Sequence, residues 1–252
     1  MKGVILRIWF WQNNFRVFYI IKTLPPPELI ADRRVAESTK IYDRAGTVLL
    51  YEIHGEVRRT VVPFEDIPEV VKQTTIAVED ANFYTHPAFD WRSIVRALLT
   101  NIFRGRVVQG GSTITQQLAK NAFLTPERTL TRKIKELALS FELEKKFTKD
   151  KILELYLNQI PYGSNAYGIE AASQVFFEKS AKDLTLAEAV LLASLPKAPT
   201  YYSPWGQNAE ALMARRDYIL EKMQAAGLIS EAEKDRALKT KLKFAKPFKG
   251  IK

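Results

Sequence analysis

Cysteine is absent from this 252-residue chain, which excludes disulfides, thiolate metal sites and a cysteine nucleophile while leaving the compartment open. Also missing is a clean apolar run of about 18 residues, the length a membrane-spanning helix needs. Gly3–Trp11 and Phe15–Leu24 are apolar and aromatic, but Arg7, Gln12, Asn13, Asn14 and Arg16 interrupt them, so a complete span is not expected. No small-residue cleavage site follows, which argues against a removable signal peptide. Acidic residues are in deficit, with 28 Asp and Glu against 38 Lys and Arg, for a net charge of +10. That excess calls for an anionic partner: nucleic acid, an anionic membrane or a phosphorylated substrate.

What is abundant is apolar. A hydrophobic content of 46% supports a real core, and one domain with at most a small appendage is expected. Residues 1–24, with tryptophans and arginines of interfacial type, read as a membrane-associated or partial transmembrane segment, the plainer alternative being a buried N-terminal helix. Pro25–Pro27 is a stiff break. Within 25–62, read as linker and small β region, Thr39–Asp43 and Thr47–Ile53 flank Arg44-Ala45-Gly46, and Val57–Val62 is a third β-branched run. A short hairpin or small three-stranded sheet is expected there. Ile67-Pro68 opens a helix that delivers Glu79 and Asp80 near its C-terminal end. The aromatic-rich loop Asn82–Asp90 leads to a helix with Ile94, Val95, Leu98, Leu99, Ile102 and Phe103 on its buried face.

Gln109–Asn121 follows: a glycine pair, Gly110-Gly111, running into a helix for which Ser112 or Thr113 is the natural N-cap. Free N–H groups of a first helical turn favour an anion. Thr113, Gln116, Gln117 and Lys120 recur at three- and four-residue spacing, placing a hydroxyl, two amides and an ammonium on one stripe. The stripe reads as a phosphate cradle, whereas Gly-Gly-Ser-Thr alone would be an ordinary loop and cap. Thr125-Pro126 then reads as cap and first residue of a long helix to about Phe147. Its expected core stripe is Leu130, Ile134, Leu137, Ala138 and Phe141. Arg128, Arg132, Lys135 and Glu136 share the opposite face, which on its own is a solvated face with i,i+4 pairs.

The remainder is almost wholly helical, so the fold class is mainly α. Thr148 caps Lys151–Ile160, Pro161-Tyr-Gly163 stops it, and Thr185-Leu-Ala-Glu188 is a capping box for a helix that Pro196 ends. Ala209–Ala226 follows with Gly227 after it, and Ser230-Glu-Ala-Glu233 is a second capping box. A domain over 63–227 and a basic C-terminal linker over 228–252 are expected.

A carboxylate at the C-terminal end of an apolar helix is disfavoured as an anion by the helix dipole and by desolvation, which makes Glu79 a candidate proton acceptor. Paired with Glu136 it invites the two-carboxylate glycosidase template, in which a protonated acid assists the leaving sugar oxygen. A phosphate leaving group needs charge neutralisation instead, and Lys120, Arg128, Arg132, Lys135 and a helix N-terminus would supply it. The residues therefore point to glycosyl or similar group transfer from a phosphate-linked donor, with Glu79 activating the acceptor hydroxyl.

Five motifs in order carry a resemblance to a known family. Glu79-Asp80-x-x-Phe83-x-x-His86, Gln109–Asn121, Arg132-Lys133-x-x-Glu136, Lys151-Ile-Leu-x-x-Tyr156-Leu-Asn158 through Gly163, and Ala187–Pro196 resemble the motifs of the peptidoglycan glycosyltransferases (family 51), most closely the glycosyltransferase domain of class A penicillin-binding proteins. Ala88 departs from the pattern, standing where the family usually has glycine. The resemblance implies a lysozyme-like helical domain with a smaller membrane-facing lobe, acting on lipid II at the extracytoplasmic face of the cell membrane. It implies polymerisation into β-1,4-linked glycan with inversion and release of polyprenyl pyrophosphate. Glu79 would be the general base, and Glu136 would help position acceptor or metal. Lys120 and Arg128 would stabilise the pyrophosphate, in a binding set that also takes in Ser112, Thr113, Gln116, Gln117, Asn121, Arg132 and Lys135. Magnesium or a similar divalent cation would be carried by the substrate pyrophosphate, since no metal-ligand spacing occurs in the chain.

The partners implied are lipid II, the nascent glycan strand, an anionic membrane surface and cell-wall synthesis proteins. No nucleic-acid motif accompanies the basic charge, so none is expected. A lytic glycoside hydrolase on a similar fold and a non-catalytic membrane scaffold are the alternative readings. Ser194-Leu-Pro-Lys197 matches the bare Ser-x-x-Lys of transpeptidases, but neither Ser-x-Asn nor Lys-Thr-Gly follows, so no transpeptidase domain is expected.

Overall fold

The computed structural model describes residues 24–26, 39–45, 49–53, 58–88, 111–125, 127 and 129–247. The membrane segment expected over 1–24 therefore lies almost entirely outside the described residues, as do the helix after Asp90, Gln109, Gly110, Pro126 and Arg128. In chain order the elements begin with β1 (Thr39–Tyr42), β2 (Leu49–Ile53), β3 (Arg58–Arg59), α1 (Glu69–Glu79), α2 (Ile114–Phe123), α3 (Leu130–Lys146) and α4 (Lys149–Gln159). They continue with β4 (Pro161–Gly163), β5 (Ala166–Tyr167), α5 (Ile169–Phe177), α6 (Leu186–Ser194), α7 (Ala209–Ala225) and α8 (Glu231–Lys239). The described residues are mainly helical, as expected. They fall into two compact units, one within Tyr84–Ile152 and including residues 24–26, the other within Arg34–Phe83 and Leu153–Lys252.

In the first unit α2 packs on α3. Thr113, not Ser112, caps α2, its hydroxyl accepting from the Gln116 N–H at 3.2 Å. Ile114, Leu118 and Ala119 of α2 and Leu139 and Leu143 of α3 are fully buried. Two expectations for α3 need correction. It starts at Leu130, capped by Thr129, whose hydroxyl accepts from the Arg132 N–H at 3.1 Å, rather than at Thr125-Pro126. Both threonines satisfy the cap preference, and local sequence does not choose between them. Its core stripe is also a different one. Leu130 is 86% exposed and Phe141 47%, while Glu136, Leu139, Ser140 and Leu143 are buried. Apolar periodicity cannot register a carboxylate that is buried because cations on its own helix neutralise it.

In the second unit α1, α6 and α7 pack together and α8 closes on α7. Their core is Ala187, Val190, Ile219, Leu220, Met223 and Ala237, flanked by Ala77, Val78 and Leu242. The expected hairpin forms, with β1 antiparallel to β2 and Thr39 opposite Ile53. The third β-branched run does not join it. Instead β3 lies parallel to β5, which pairs antiparallel with β4 in a separate sheet of order β3-β5-β4. Ser164 and Asn165 turn β4 into β5 with φ of 50° and 59°, the paired left-handed residues of a tight hairpin turn. Asn158 fixes the chain just beyond β3. Its Oδ1 accepts from the Val62 N–H at 2.9 Å and its Nδ2 donates to the Val62 carbonyl at 2.9 Å, reproducing a strand pair with a side chain. Residues 240–247, read as linker, are tied down: the Ala245 N–H donates to Phe176 O at 2.9 Å and Trp205 Nε1 donates to Ala245 O at 3.0 Å.

The local helix signals of this unit are realised. Both capping boxes form, and Gly227 follows α7 with φ +71°. Glu188 accepts from the Thr185 N–H (2.8 Å), the Thr185 hydroxyl (2.6 Å) and Lys179 Nζ (2.6 Å). Burial pushes its carboxyl up, but the hydrogen bonds from Lys179 and Thr185 outweigh this and hold it below its ordinary value. A carboxyl depressed in the fold stabilises it above the unfolded pKa of about 4.3, and that contribution is lost as the pH falls through the folded value. Glu188→Gln is expected to lower stability by about 1 kcal/mol at neutral pH, partial exposure keeping the effect small. Denaturant unfolding of both proteins as a function of pH should show the gap closing below about pH 4.

Candidate active site

Glu79 is the last residue of α1, where the Asp80 N–H donates to Ile76 O and the Phe83 N–H to Asp80 O, each at 2.9 Å. This turn buries Phe83 completely and leaves Glu79 half-buried. The Glu79 charge is felt by groups from distant parts of the second unit. Burial first, and Glu79 next, raise the Tyr156 and Tyr162 phenols well above their ordinary value, so both stay neutral and protonated. Burial and then the Arg215 guanidinium lower Lys197, while Glu79 pulls it the other way. Arg215 is fixed by an Nε donation to Ser194 O at 3.0 Å and lies 5.7 Å from the Tyr202 ring centre.

Two glycines let these segments approach. Gly163 has φ +91°, and a Cβ there would stand 2.7 Å from Pro199 O; Gly168 has φ +84°, and a Cβ would stand 2.7 Å from Asn158 O. Neither position admits a side chain without backbone movement. Ser194 is fully buried and donates to Val190 O at 2.8 Å, so the Ser-x-x-Lys match has no exposed nucleophile.

The residues expected to form a phosphate cradle lie in the first unit. Thr113 and Gln116 are buried, Ser112, Gln117 and Lys120 half-buried, and Asn121 exposed, so the stripe emerges from the protein along α2. The Thr113 hydroxyl donates to Ala88 O at 3.1 Å, and Gln116 Nε2 donates to the same carbonyl at 3.4 Å. Ala88 is buried and is not among the positive-φ residues, so alanine is accommodated without backbone strain.

Glu136 is buried with its Oε2 accepting from Arg132 Nη1 at 3.0 Å and its Oε1 accepting from Lys133 Nζ. Lys133 also donates to Ser112 Oγ and Gln116 Oε1, each at 3.0 Å. Its three protons are thus matched by three acceptors. Lys133 stands in the third motif between Arg132 and Lys135, the two cations expected to bind an anion, and is not itself in that expected set. Its i,i+3 spacing to Glu136 is a signal it shares in kind with Arg132 at i,i+4, so spacing alone does not single it out. Lys135 is half-buried on α3.

A resident metal does not fit this arrangement. Both Glu136 oxygens are engaged by cations, and among the described residues no group of three or more His, Cys, Asp or Glu converges.

The family model described as Transglycosylase matches residues 46–224. Penicillin-binding protein 1A of Aquifex aeolicus is 47% identical over 244 residues, 97% of this chain and 33% of that protein. Penicillin-binding protein 1A of Neisseria flavescens is 45% identical over 204 residues, 81% of this chain and 25% of that protein. Penicillin-binding protein 4 of Bacillus subtilis is 39% identical over 215 residues, 85% of this chain and 34% of that protein. The chain therefore spans between a quarter and about a third of the length of these relatives.

Lys133→Met leaves the buried carboxylate with Arg132 alone. Because the Lys133 side chain is 40% exposed, the expected loss is about 2 kcal/mol, below the range for a fully buried pair. Adding Glu136→Gln should recover part of it, a coupling that a double-mutant cycle in denaturant measures. Additive losses would mean that the ion pair is not what holds this face together.

Proposed function

The chain belongs to the transglycosylase family, and from that premise we propose that it polymerises lipid II into β-1,4-linked glycan at the extracytoplasmic face of the cell membrane. The acceptor 4-hydroxyl oxygen attacks the anomeric carbon of a lipid-pyrophosphate-linked donor from the face opposite the leaving group, giving inversion. Glu79 takes the hydroxyl proton as the new bond forms, and polyprenyl pyrophosphate departs with the bonding electrons of the broken C–O bond. Lys120, Arg128, Arg132 and Lys135 meet the developing phosphate charge, with Ser112, Thr113, Gln116, Gln117 and Asn121 shaping the cradle. Glu136 acts by ordering cations rather than by reacting. A divalent cation, if used, is carried in on the pyrophosphate, where it would add to the same neutralisation; every role above belongs to the chain's own residues.

The observation that best supports this reading is the cationic surrounding of Glu136. A glycosidase needs a second carboxyl free to donate a proton to the departing sugar oxygen, and this one accepts from Arg132 and Lys133 through both oxygens. A leaving pyrophosphate has no such need and is instead stabilised by preorganised positive charge. The basic balance of the chain agrees with an anionic substrate and surface, and no helix among the described residues is long and apolar enough to cross a membrane.

Glu79→Gln is expected to reduce polymerisation of labelled lipid II by roughly two decades or more with the fold intact by circular dichroism. Lys120→Ala should also depress turnover strongly, and Lys120→Arg should not restore it fully, because a point charge and a planar fork hold phosphate differently. Product gels before and after muramidase digestion read both effects. Wild-type rates in a folded Glu79→Gln protein would remove the base assignment, and cleavage of preformed glycan in place of synthesis would favour a hydrolase.

A further inference from the structure

Lys149 is the first residue of α4, and a cation there opposes the helix dipole, which favours negative charge at an N-terminus. Asp150 and the Thr148 hydroxyl, which accepts from the Lys151 N–H at 3.3 Å, already serve that helix end. The Lys149 side chain is nevertheless held inward, 19% exposed, with Nζ donating to Glu144 Oε1 at 2.7 Å and to the His86 carbonyl at 2.7 Å. Glu144, 13% exposed, accepts from the Thr115 hydroxyl of α2 through the same oxygen at 2.5 Å. An ion pair drawn this far out of water adds little net stability over an apolar replacement, so stability alone gives no reason to keep it.

What the pair does geometrically is tie three helices to one loop. Residues Tyr84–Ala88 follow directly on the turn after Glu79 and carry His86 of the first motif. The Tyr84 hydroxyl donates to Asp150 Oδ1 at 2.8 Å, Lys149 holds the His86 carbonyl, and Thr113 and Gln116 of α2 hold the Ala88 carbonyl. Glu144 joins the Lys149 end of this arrangement to Thr115 of α2. We propose that Lys149, braced by Glu144, is a positioning residue for glycosyl transfer, fixing the Tyr84–Ala88 loop against the N-terminal part of the cradle helix α2. The inference rests on the function proposed above. Lys149 touches no reacting atom; its effect passes through the loop and the cradle.

The test uses the full chain with Lys149→Met, Lys149→Arg and Glu144→Gln. The chain has two histidines, His54 and His86, so a ¹⁵N imidazole spectrum with His54→Gln as reference identifies the His86 resonances. Lys149→Met is expected to shift or broaden them and to lower kcat on lipid II roughly ten-fold or more, with KM changed by less than about three-fold. Lys149→Arg, which can still donate to the carbonyl, should return the His86 resonances toward the parent and recover part of kcat. If Lys149→Met does not fold, Glu144→Gln carries the test with the same pattern at smaller amplitude. Unmoved His86 resonances, or a kcat loss that merely follows the fraction unfolded at the assay temperature, would overturn the proposal. A parent protein inert toward lipid II would instead strike the proposed function, while the His86 spectrum would still decide whether Lys149 positions the loop.

Discussion

A carboxylate in the middle of a buried helix face must be neutralised where it stands, and much of the first unit follows from that constraint at Glu136. Arg132 and Lys133 lie one turn before it and take one oxygen each, which allows α3 to turn this face inward at all. Lys133 then has two protons left, and Ser112 and Gln116 accept them. Accepting the ammonium at Oε1 fixes which way the Gln116 amide faces and turns its Nε2 donor toward the Ala88 carbonyl. One buried charge thus sets the orientation of a side chain on the neighbouring helix and of a backbone group on a loop. Charged and amide groups linked this way are costly to leave half-satisfied, so the arrangement has few alternatives.

The second unit solves a different problem, that of bringing short irregular segments close without a long sheet. Asn158 substitutes for a strand at Val62, and Gly168 lets the chain pass against the Asn158 carbonyl. Gly163 does the same at Pro199. Tyr156 and Tyr162 lie inside this framework, both within electrostatic reach of Glu79. Phenols buried in this way keep their protons and add no charge of their own within reach of the carboxylate.

Features decided within a turn or two of chain were legible in the sequence. The end of α1 at Glu79, the capping boxes at Thr185 and Ser230 and the stop at Gly227 are of this kind, because caps are satisfied by the residues next to them. The start of α3 was not, since Thr125 and Thr129 offer equivalent caps and the choice is tertiary. The buried face of α3 was misread because apolar counting favours Leu130 and Phe141 over a stripe interrupted by Glu136 and Ser140. The β3-β5-β4 sheet is not legible because strands of two or three residues carry almost no periodic signal, and Arg58 pairs with Ala166 across a long intervening stretch of chain. Of the residues expected at the site, Glu79 at a helix end and the polar stripe of α2 are legible because their positions follow from local helix geometry. Lys133 was hidden by its neighbours: in a row of cations, spacing alone does not show which one turns inward.

The inward turn of Lys133 reflects how a cluster of cations is built. Cations intended for a phosphate repel one another and are strongly hydrated, so clustering them has a cost before any ligand arrives. A buried carboxylate offsets that cost by holding some of them in fixed directions, and here it holds Arg132 and Lys133 through separate oxygens. If the carboxylate were instead the reacting acid, its oxygens would have to face the substrate and hold a proton for the leaving group. On the proposed reading Glu136 and Glu79 are therefore unlike carboxylates with unlike tasks. Glu136 is enclosed by donors and serves as counter-ion and scaffold. Glu79, half-buried at a helix end within electrostatic reach of neutral phenols, would on that reading keep the accessibility a proton acceptor requires.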